Sequence, residues 1–242
     1  MMLNLKKCFV IIPARGGSKG LYRKNLQLIS GLPLVKRTIM AAKHAGIENI
    51  IVSSDSEEIL EIASQNGCIN HHRSMVNSSD TASTEAVIKE VIQTFHERIP
   101  EDATIVLLQP TSPFIFSSEI LKCVQNTSKG ISAFTGSNNH IFTWKEISND
   151  SKFVSPMGHS TTQRLRRQDM PKQFSENGAC YSFQKRDFSE TGSRFSDKCI
   201  IVEVPIERSI EIDDERDLNE CTRSEEHTSE LQSRQYLVCR LL

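Results

Sequence analysis

The amino-acid sequence predicts a doubly wound α/β fold built around a mostly parallel sheet. Short apolar segments, typical of buried strands, alternate with longer segments in which apolar side chains recur at helical spacing. Polar and glycine-containing turns separate the two kinds of segment. The chain has 242 residues, of which 38% are hydrophobic, so it is long enough to bury a core on both faces of such a sheet.

The regular alternation occupies the first half of the chain. An apolar run predicts the first strand at 8–13, and helical spacing predicts a helix at 34–45 that ends before Gly46. By the same criteria, strands are expected at 49–53 and 104–108, and helices at 56–63, at 81–95 and from Ser117 onward. The carboxyl ends of parallel strands meet at one edge of a sheet, which is where ligands bind.

The second half of the chain is less regular. Residues 136–177 are polar and lack clear periodicity, and we interpret them as an insertion within one domain at 1–222. Strand-like segments are expected at 180–183, 200–204 and 209–212. The last segment, 223–242, contains RSEEHTSELQS and YLVCRLL, which resemble the translation of a sequencing-library adapter. We therefore interpret 223–242 as a tail that is not native.

Composition excludes several classes of partner. The 29 basic and 30 acidic residues give a net charge of -1, so no global field favours nucleic acid or a membrane surface. The N-terminus lacks the order of a secretory signal, and no run approaches the roughly 18 apolar residues of a membrane span. Seven scattered cysteines without a C-x-x-C pair disfavour a zinc site. These observations predict a cytoplasmic protein.

A basic, glycine-rich loop follows the first predicted strand. Residues 14–25, here called the basic glycine loop, contain three glycines among Arg15, Lys19 and Lys24. Glycines let the backbone approach an anion, and the cations add charge, so the loop predicts a site for a phosphate chain. Its spacing matches neither of the two common nucleotide-binding glycine motifs. A solvated surface turn is the alternative.

Two carboxylates near the end of the chain form a second candidate site. Glu211 and Asp213 are two residues apart, so on a strand they would share one face. Such a pair suits Mg²⁺, which takes one or two carboxylates and completes its shell with water and phosphate oxygens. Alternatively, Asp213 and Asp214 cap a following helix. The residues alone leave both interpretations open.

Five segments in order along the chain resemble the acylneuraminate cytidylyltransferase family, the CMP-sialic acid synthetases. They are IIPARGGSKGLYRKN from Ile11, HRSMVNSSDTAS from His72, LLQPTSP from Leu107, RQDMPKQFSENGACY from Arg167 and SIEIDDERDL from Ser209. Each segment alone is a weak match, but their common order is specific. The resemblance implies a Rossmann-like nucleotidyltransferase that uses Mg²⁺ to join CTP to an acidic nine-carbon α-keto sugar.

The resemblance also implies roles for individual residues. Arg15, Lys24 and Asp213 would be catalytic, and Glu211 and Asp213 would bind the metal. The residues implied in nucleotide binding are Ala14, Arg15, Gly16, Gly17, Ser18, Lys19, Asn25, Arg73, Asp80, Ala82 and Ser83. Those implied in sugar binding are Gln109, Thr111, Ser112, Arg167, Gln168 and Asn177. The family dimerises through the region that corresponds to 136–177, which implies a homodimer.

Some positions depart from the family pattern and leave alternatives. Glu211 stands where an aspartate is usual, and Ser175 and Glu176 replace an arginine that some members carry. The sugar could therefore be a legionaminic or pseudaminic acid instead of N-acetylneuraminate. A 3-deoxy-octulosonate enzyme and a non-catalytic nucleotide-binding protein are the remaining alternatives.

Overall fold

A seven-stranded sheet forms the centre of the computed structural model, which describes residues 4–148 and 152–224. The strands are β1 (Cys8–Pro13), β2 (Leu28–Ile29), β3 (Leu32–Pro33), β4 (Asn49–Ser54), β5 (Ile69–His72), β6 (Thr104–Leu108), β7 (Ile131–Asn139), β8 (Thr143–Glu146), β9 (Val154–Met157), β10 (Gln173–Gln184) and β11 (Lys198–Glu203). The helices are α1 (Leu34–His44), α2 (Glu57–Gln65), α3 (Thr84–Thr94), α4 (Ser117–Asn126) and α5 (Lys185–Thr191), and residues 215–224 are also helical.

Most neighbouring strands of the central sheet run parallel. The strand order is β11-β7-β10-β6-β1-β4-β5. Strands β6, β1, β4 and β5 pair in parallel, as do β11 and β7, whereas β10 runs antiparallel between β6 and β7. The predicted mostly parallel α/β sheet is therefore confirmed.

Helices cover both faces of the sheet because the strands alternate their side chains. Val10 and Ile12 of β1 pack in a cluster with α1, α2 and α4. Phe9 and Ile11 pack on the opposite face with α3 and α5. All four side chains are almost completely buried, and burying an apolar side chain of this size contributes about 1.5–3 kcal/mol. The strand sequence thus builds two core layers.

Several predicted elements agree with the structure. The ends of two helices differ from the prediction by one to three residues, at positions that the residues flanking each helix determine. Strands β1 and β6 have the predicted bounds. Helix α1 ends at His44, and Gly46 follows with the left-handed φ of 75° that the C-terminal glycine predicts. Helix α3 begins at Thr84, later than predicted, because the Ser83 hydroxyl accepts a hydrogen bond from the Ala86 N–H at 3.1 Å.

The strand predicted at 209–212 is wrong. This segment is irregular and follows a 3-10 turn at Ile206–Arg208. Its backbone pairs with a loop instead of a strand, since the Ile212 N–H donates to the Thr111 carbonyl at 2.8 Å. Ile212 packs in a small cluster with Ile29 and Leu34 that is separate from the two core layers. The expectation that Glu211 and Asp213 share one face of a strand therefore loses its basis.

The polar region 136–177 lies partly in the sheet. Strand β7 continues to Asn139 and β10 begins at Gln173, and these two strands pair along their extended ends. Between them, β8 and β9 form a separate hairpin. The interpretation of 223–242 as non-native falls on residues outside the described part of the chain, except for 223 and 224. Within the described ranges, no helix has the length and apolar character needed to cross a membrane.

Candidate functional site

A cleft of about 220 Å³ opens at the carboxyl ends of β1, β5 and β6. Its lining contains charged and polar side chains from three segments that are far apart in sequence. The lining residues are Pro13, Arg15, Ser18, Lys24, Asn25, Arg73, Asn77, Ser79, Asp80, Ala82, Ser83, Thr84, Val87, Gln109, Pro110 and Thr111. Ten of these residues are among the twenty predicted for the site, so the fold brings half of the predicted residues together in the lining of one cleft.

Neighbouring strand ends hold the basic glycine loop in place. The Ala14 N–H donates to the Ser53 carbonyl at 2.9 Å, and the Gly16 N–H donates to Asp55 Oδ1 at 2.7 Å. A Cβ at Gly20 would lie 2.3 Å from the Asp213 carbonyl oxygen, whereas a Cβ at Gly17 would meet nothing within 4 Å. Gly20 is therefore required for close packing against the 213 segment, and Gly17 faces open space.

The Asp80 carboxylate is paired with two cations of the basic glycine loop. Its Oδ1 lies 2.7 Å from Arg15 Nη1, and its Oδ2 lies 3.0 Å from Lys19 Nζ. The hydrogen bond from Lys19, together with that from Arg15, holds the pKa of Asp80 below its usual range. Arg15 and Lys19 therefore converge on a single anionic group, as they would on a phosphate.

Lys24 is the most enclosed cation of this loop. Its Nζ lies 2.9 Å from Asp213 Oδ1 and 2.9 Å from the Ile212 carbonyl oxygen. The Lys24 side chain is 14% exposed, whereas that of Asp213 is 73% exposed. A charge in so poorly solvated a position acts more strongly on a ligand than a charge on the open surface.

Glu211 contacts the loop that follows β6, whereas Asp213 contacts the basic glycine loop. Thr111 Oγ1 donates to Glu211 Oε1 at 3.3 Å, and a Cβ at Gly178 would be 3.1 Å from the same carboxylate. Partial burial of the carboxylate raises the pKa of Glu211, and repulsion from Asp213 raises it further. The two acidic groups are therefore close enough to interact electrostatically.

The helix at 215–224 is capped by Asp214 and not by Asp213. Asp214 Oδ1 accepts from the N–H groups of Arg216 at 2.7 Å and Asp217 at 3.1 Å. The side chain of Asp213 is directed instead to Lys24. The capping interpretation therefore applies to Asp214, whereas Asp213 pairs with a cation that lines the cleft.

Arg73 forms the wall of the cleft next to Asp80. Its Nη2 donates to the Ser53 carbonyl at 2.8 Å, and its Nε donates to Ser53 Oγ at 3.2 Å. Burial lowers the pKa of Arg73 to about 10, although nearby Asp55 and Glu90 oppose this shift. The guanidinium is therefore poorly solvated and depends on protein hydrogen bonds for its orientation.

The residues predicted for the sugar side and described by the structure divide into three groups. Gln109 and Thr111 line the cleft. Ser112 and Asn177 are buried, and the Ser112 hydroxyl donates to the Asn177 carbonyl at 2.9 Å, so they support the cleft from below. Gln168 is exposed in the 3-10 turn Arg167–Asp169, outside the lining of the cleft. The predicted role of the Arg167 side chain lies outside the described part of the structure.

Sequence reasoning missed the roles of Asp55 and Asn77. Asp55 binds the basic glycine loop, Asn77 lines the cleft, and His71 contacts Ser53 behind Arg73. Asp55 could have been found, because it lies two residues after the strand predicted at 49–53 and so lies at the ligand-binding edge. No pattern in the sequence indicates the contacts of Asn77 or His71, which depend on tertiary packing.

The fold and the cleft together define a class of α/β protein whose sheet edge is suited to hold a phosphate chain beside a carboxylate pair. The cytidylyltransferase family model matches residues 9–233, and the chain therefore belongs to the cytidylyltransferase family. The resemblance found in the sequence is thereby confirmed at the level of the family.

The curated relatives include N-acylneuraminate cytidylyltransferases and a flagellin modification protein. N-acylneuraminate cytidylyltransferase B of Danio rerio is 34% identical over 206 residues, which are 84% of this chain and 48% of that protein. N-acylneuraminate cytidylyltransferase of Streptococcus agalactiae serotype V is 29% identical over 214 residues, 86% of this chain and 50% of that protein. Post-translational flagellin modification protein B of Campylobacter coli is 32% identical over 185 residues, 73% and 77% of the two chains. The chain spans about half the length of the first two relatives.

Solved structures share the fold at low sequence identity. 4-Diphosphocytidyl-2C-methyl-D-erythritol synthase from Anaerococcus prevotii gives a TM-score of 0.63 at 14% identity, over 91% of this chain and 96% of that chain. CMP:2-keto-3-deoxy-manno-octonic acid synthetase, solved with CTP, gives a TM-score of 0.57 at 14% identity, over 97% and 99% of the chains. These similarities agree with the α/β fold class predicted from the sequence.

Proposed function

We propose that this chain transfers the cytidylyl group of CTP to the anomeric hydroxyl of an acidic nine-carbon α-keto sugar and releases pyrophosphate. N-acetylneuraminate or a close relative is the proposed sugar. The observation that carries the proposal is the convergence of the basic glycine loop and the Asp213 carboxylate through Lys24 at one sheet edge. Membership of the cytidylyltransferase family and the names of the relatives support the choice of CTP and of a sialic acid.

Charge stabilisation is the main task of the protein side chains in this reaction. The sugar oxygen forms a bond to the α-phosphorus, the bond from that phosphorus to pyrophosphate breaks, and the hydroxyl proton passes to water. Negative charge grows on the leaving pyrophosphate, so fixed cations at the phosphates lower the barrier. Arg15 and Lys24 line the cleft and supply this charge, while Gln109 and Thr111 position the sugar.

Mg²⁺ belongs to the proposal, and the donor chemistry at the cleft fits it. Glu211 and Asp213 provide oxygen ligands only, and their mutual repulsion would be relieved by a divalent cation. Among the residues that the structure describes, no cluster of three or more His, Cys, Asp or Glu side chains could hold a metal. A two-carboxylate site completed by water and phosphate suits Mg²⁺. When bound, the ion would neutralise phosphate charge and make the sugar hydroxyl more acidic.

Homodimerisation and a cytoplasmic location are further parts of the proposal. The β8–β9 hairpin and its flanks expose Ile141, Trp144, Ile147 and Phe153, each at least half accessible to solvent. Apolar and aromatic side chains grouped on one surface are typical of subunit contacts. We expect Trp144→Ser to shift the full chain toward the monomer in light scattering, and an unchanged mass would contradict a dimer through this hairpin.

Pyrophosphate release by the full chain with CTP, Mg²⁺ and a panel of acidic sugars tests the activity. The panel contains N-acetylneuraminate, legionaminate, pseudaminate and 3-deoxy-octulosonate. We expect release with one nine-carbon acid and a loss of about 100- to 1,000-fold in kcat for Lys24→Met, because a preorganised cation is removed. Lys6→Met is the control, since Lys6 is exposed and outside the cleft lining. CTP binding without release from any sugar would instead indicate a non-catalytic protein.

The metal is tested by the Mg²⁺ dependence of the same assay. We expect Asp213→Asn to raise the Mg²⁺ concentration needed for half-maximal rate, because it removes one of two carboxylate ligands. Glu215→Gln, an exposed change two residues away, should leave this concentration unchanged. The same Mg²⁺ dependence in both variants would refute the assignment of Asp213.

A further inference from the structure

A row of hydrogen bonds behind the cleft connects Arg73 to helix α3. Arg73 Nε lies 3.2 Å from Ser53 Oγ, which in turn lies 2.9 Å from His71 Nδ1. On the other side of the ring, His71 Nε2 lies 3.3 Å from Thr94 Oγ1. The Ser53 and His71 side chains are buried, so their polar atoms need partners within the protein.

The direction of each hydrogen bond in this row follows from the groups at its two ends, Arg73 and Thr94. A guanidinium only donates, so Ser53 Oγ accepts from Arg73 and uses its own proton toward His71 Nδ1. At the other end, the Thr94 hydroxyl donates to the Glu90 carbonyl at 2.9 Å, so Thr94 Oγ1 accepts from His71 Nε2. One neutral tautomer of His71, with its proton on Nε2, therefore satisfies every member of the row.

We infer that His71 is a positioning residue for Arg73, acting through Ser53. Its Nδ1 lone pair fixes the Ser53 hydroxyl so that an oxygen lone pair faces Arg73 Nε, and this holds the guanidinium against the cleft wall. The inference rests on the proposed function, in which Arg73 contributes to CTP binding. His71 touches neither nucleotide nor sugar, and its effect is confined to the orientation of Arg73.

The surroundings of His71 favour the neutral ring. The charged or titratable groups that act on it are Glu90, Arg73 and His72, and the Phe95 ring lies against its edge at 5.9 Å between centroids. Burial lowers the pKa of His71, although Glu90 opposes the shift. A protonated ring would need to donate from Nδ1, which would leave the Ser53 proton without its acceptor.

Two substitutions test the contributions of the two ring nitrogens of His71 separately. Asparagine places its oxygen near the position of Nδ1, whereas glutamine reaches the position of Nε2. We expect His71→Gln and His71→Leu to raise the Kd and KM for CTP about tenfold with kcat unchanged, and His71→Asn to remain within about twofold of the wild type. Asparagine is the smaller residue and leaves the larger cavity, so a purely structural role predicts the opposite order, with His71→Asn the weaker binder.

Melting temperatures of the three variants identify which role applies. The inference would be overturned if the three variants had the same order in CTP affinity as in melting temperature. It would also be overturned if His71→Gln bound CTP as tightly as the wild type. Affinity retained in a less stable His71→Asn would support it.

A measurement without nucleotide keeps the inference separate from the proposed function. Long-range ¹H–¹⁵N correlation of the full chain at neutral pH should show His71 with its proton on Nε2. The Arg73 Nε–H signal should stay sharp and slow to exchange in His71→Asn but not in His71→Leu. A proton on Nδ1 of His71 would refute the inference. Failure of the wild type to bind CTP would refute the proposed function while these signals still report on the row.

Discussion

Replacing Gly20 with alanine tests how strictly the basic glycine loop must pack against the segment that carries Asp213. The added Cβ would lie 2.3 Å from the Asp213 carbonyl oxygen, whereas ordinary contact begins at 3.4 Å. The two backbones must therefore separate by about 1 Å, which also moves Lys24 relative to Asp213. A misplacement of about 1 Å can lower a rate by about 100-fold. We expect kcat/KM to fall by about 10- to 100-fold and the free energy of unfolding to fall by about 1–3 kcal/mol.

Gly17→Ala is the matched control in the same loop. Its Cβ would meet nothing within 4 Å, and neither Gly17 nor Gly20 has a left-handed φ. We expect Gly17→Ala to keep its stability and its kcat/KM within about twofold of the wild type. Pyrophosphate release measures kcat/KM, and circular dichroism measures the melting temperature. Equal kcat/KM in both variants would refute the reasoning, because only Gly20 makes the close contact.

Two further predictions concern stability. Arg208→Ala leaves the buried Glu119 carboxylate without its cation, so we expect the free energy of unfolding to fall by about 3–5 kcal/mol. Lys7→Ala, which breaks an exposed pair with Asp102, should cost less than about 1 kcal/mol, and equal urea midpoints for these variants would contradict this contrast. Burial lowers the pKa of His71, so its contribution to stability is present above about pH 6.5 and is lost as the pH falls through the lowered pKa. Urea denaturation between pH 5 and 8 should show this loss in the wild type but not in His71→Asn.

Continuous apolar runs made the core strands predictable. Strands β1 and β6 are buried on both faces, so their sequences are apolar throughout and stop where the chain becomes polar. Strand β10 was only partly predicted, because Asn177 and Gly178 interrupt its apolar run. Gly178 has a left-handed φ of 69°, and the pairing register shifts between Glu176 and Tyr181. An irregularity of this kind hides a long strand from pattern analysis.

The alternation of apolar and polar residues could not predict the irregular structure of 209–212. Ile210 and Ile212 alternate with polar residues as a strand would, but they pack in a satellite cluster with Leu34 and Cys221. A period of two reports that alternate side chains are buried, and it does not report whether a neighbouring strand is available. Arg208 instead anchors this segment, because its guanidinium binds Glu119 and donates to the Phe114 carbonyl at 3.2 Å.

The site was predictable where its residues are contiguous and unpredictable where they meet through the fold. The basic glycine loop carries its cations within one segment, so its charge could be recognised directly. Only the family resemblance placed Asp80 and Asp213 beside this loop, since they pair with loop cations 61 or more positions away. His71 has an unremarkable position in the sequence, and only its buried hydrogen bonds show a connection to the cleft.

The pairing of loop cations with carboxylates explains how the cleft can be charged and still be ordered. Asp80 and Asp213 are 41% and 73% exposed, so exchanging either for a phosphate costs little desolvation on the side of the carboxylate. Lys24 is far less exposed and keeps its position through the Ile212 carbonyl, whichever anion it binds. Under the proposed function, a phosphate that takes Lys24 would release Asp213 to join Glu211 as an oxygen pair. In that proposal the same lysine would link nucleotide binding to the availability of the metal ligands.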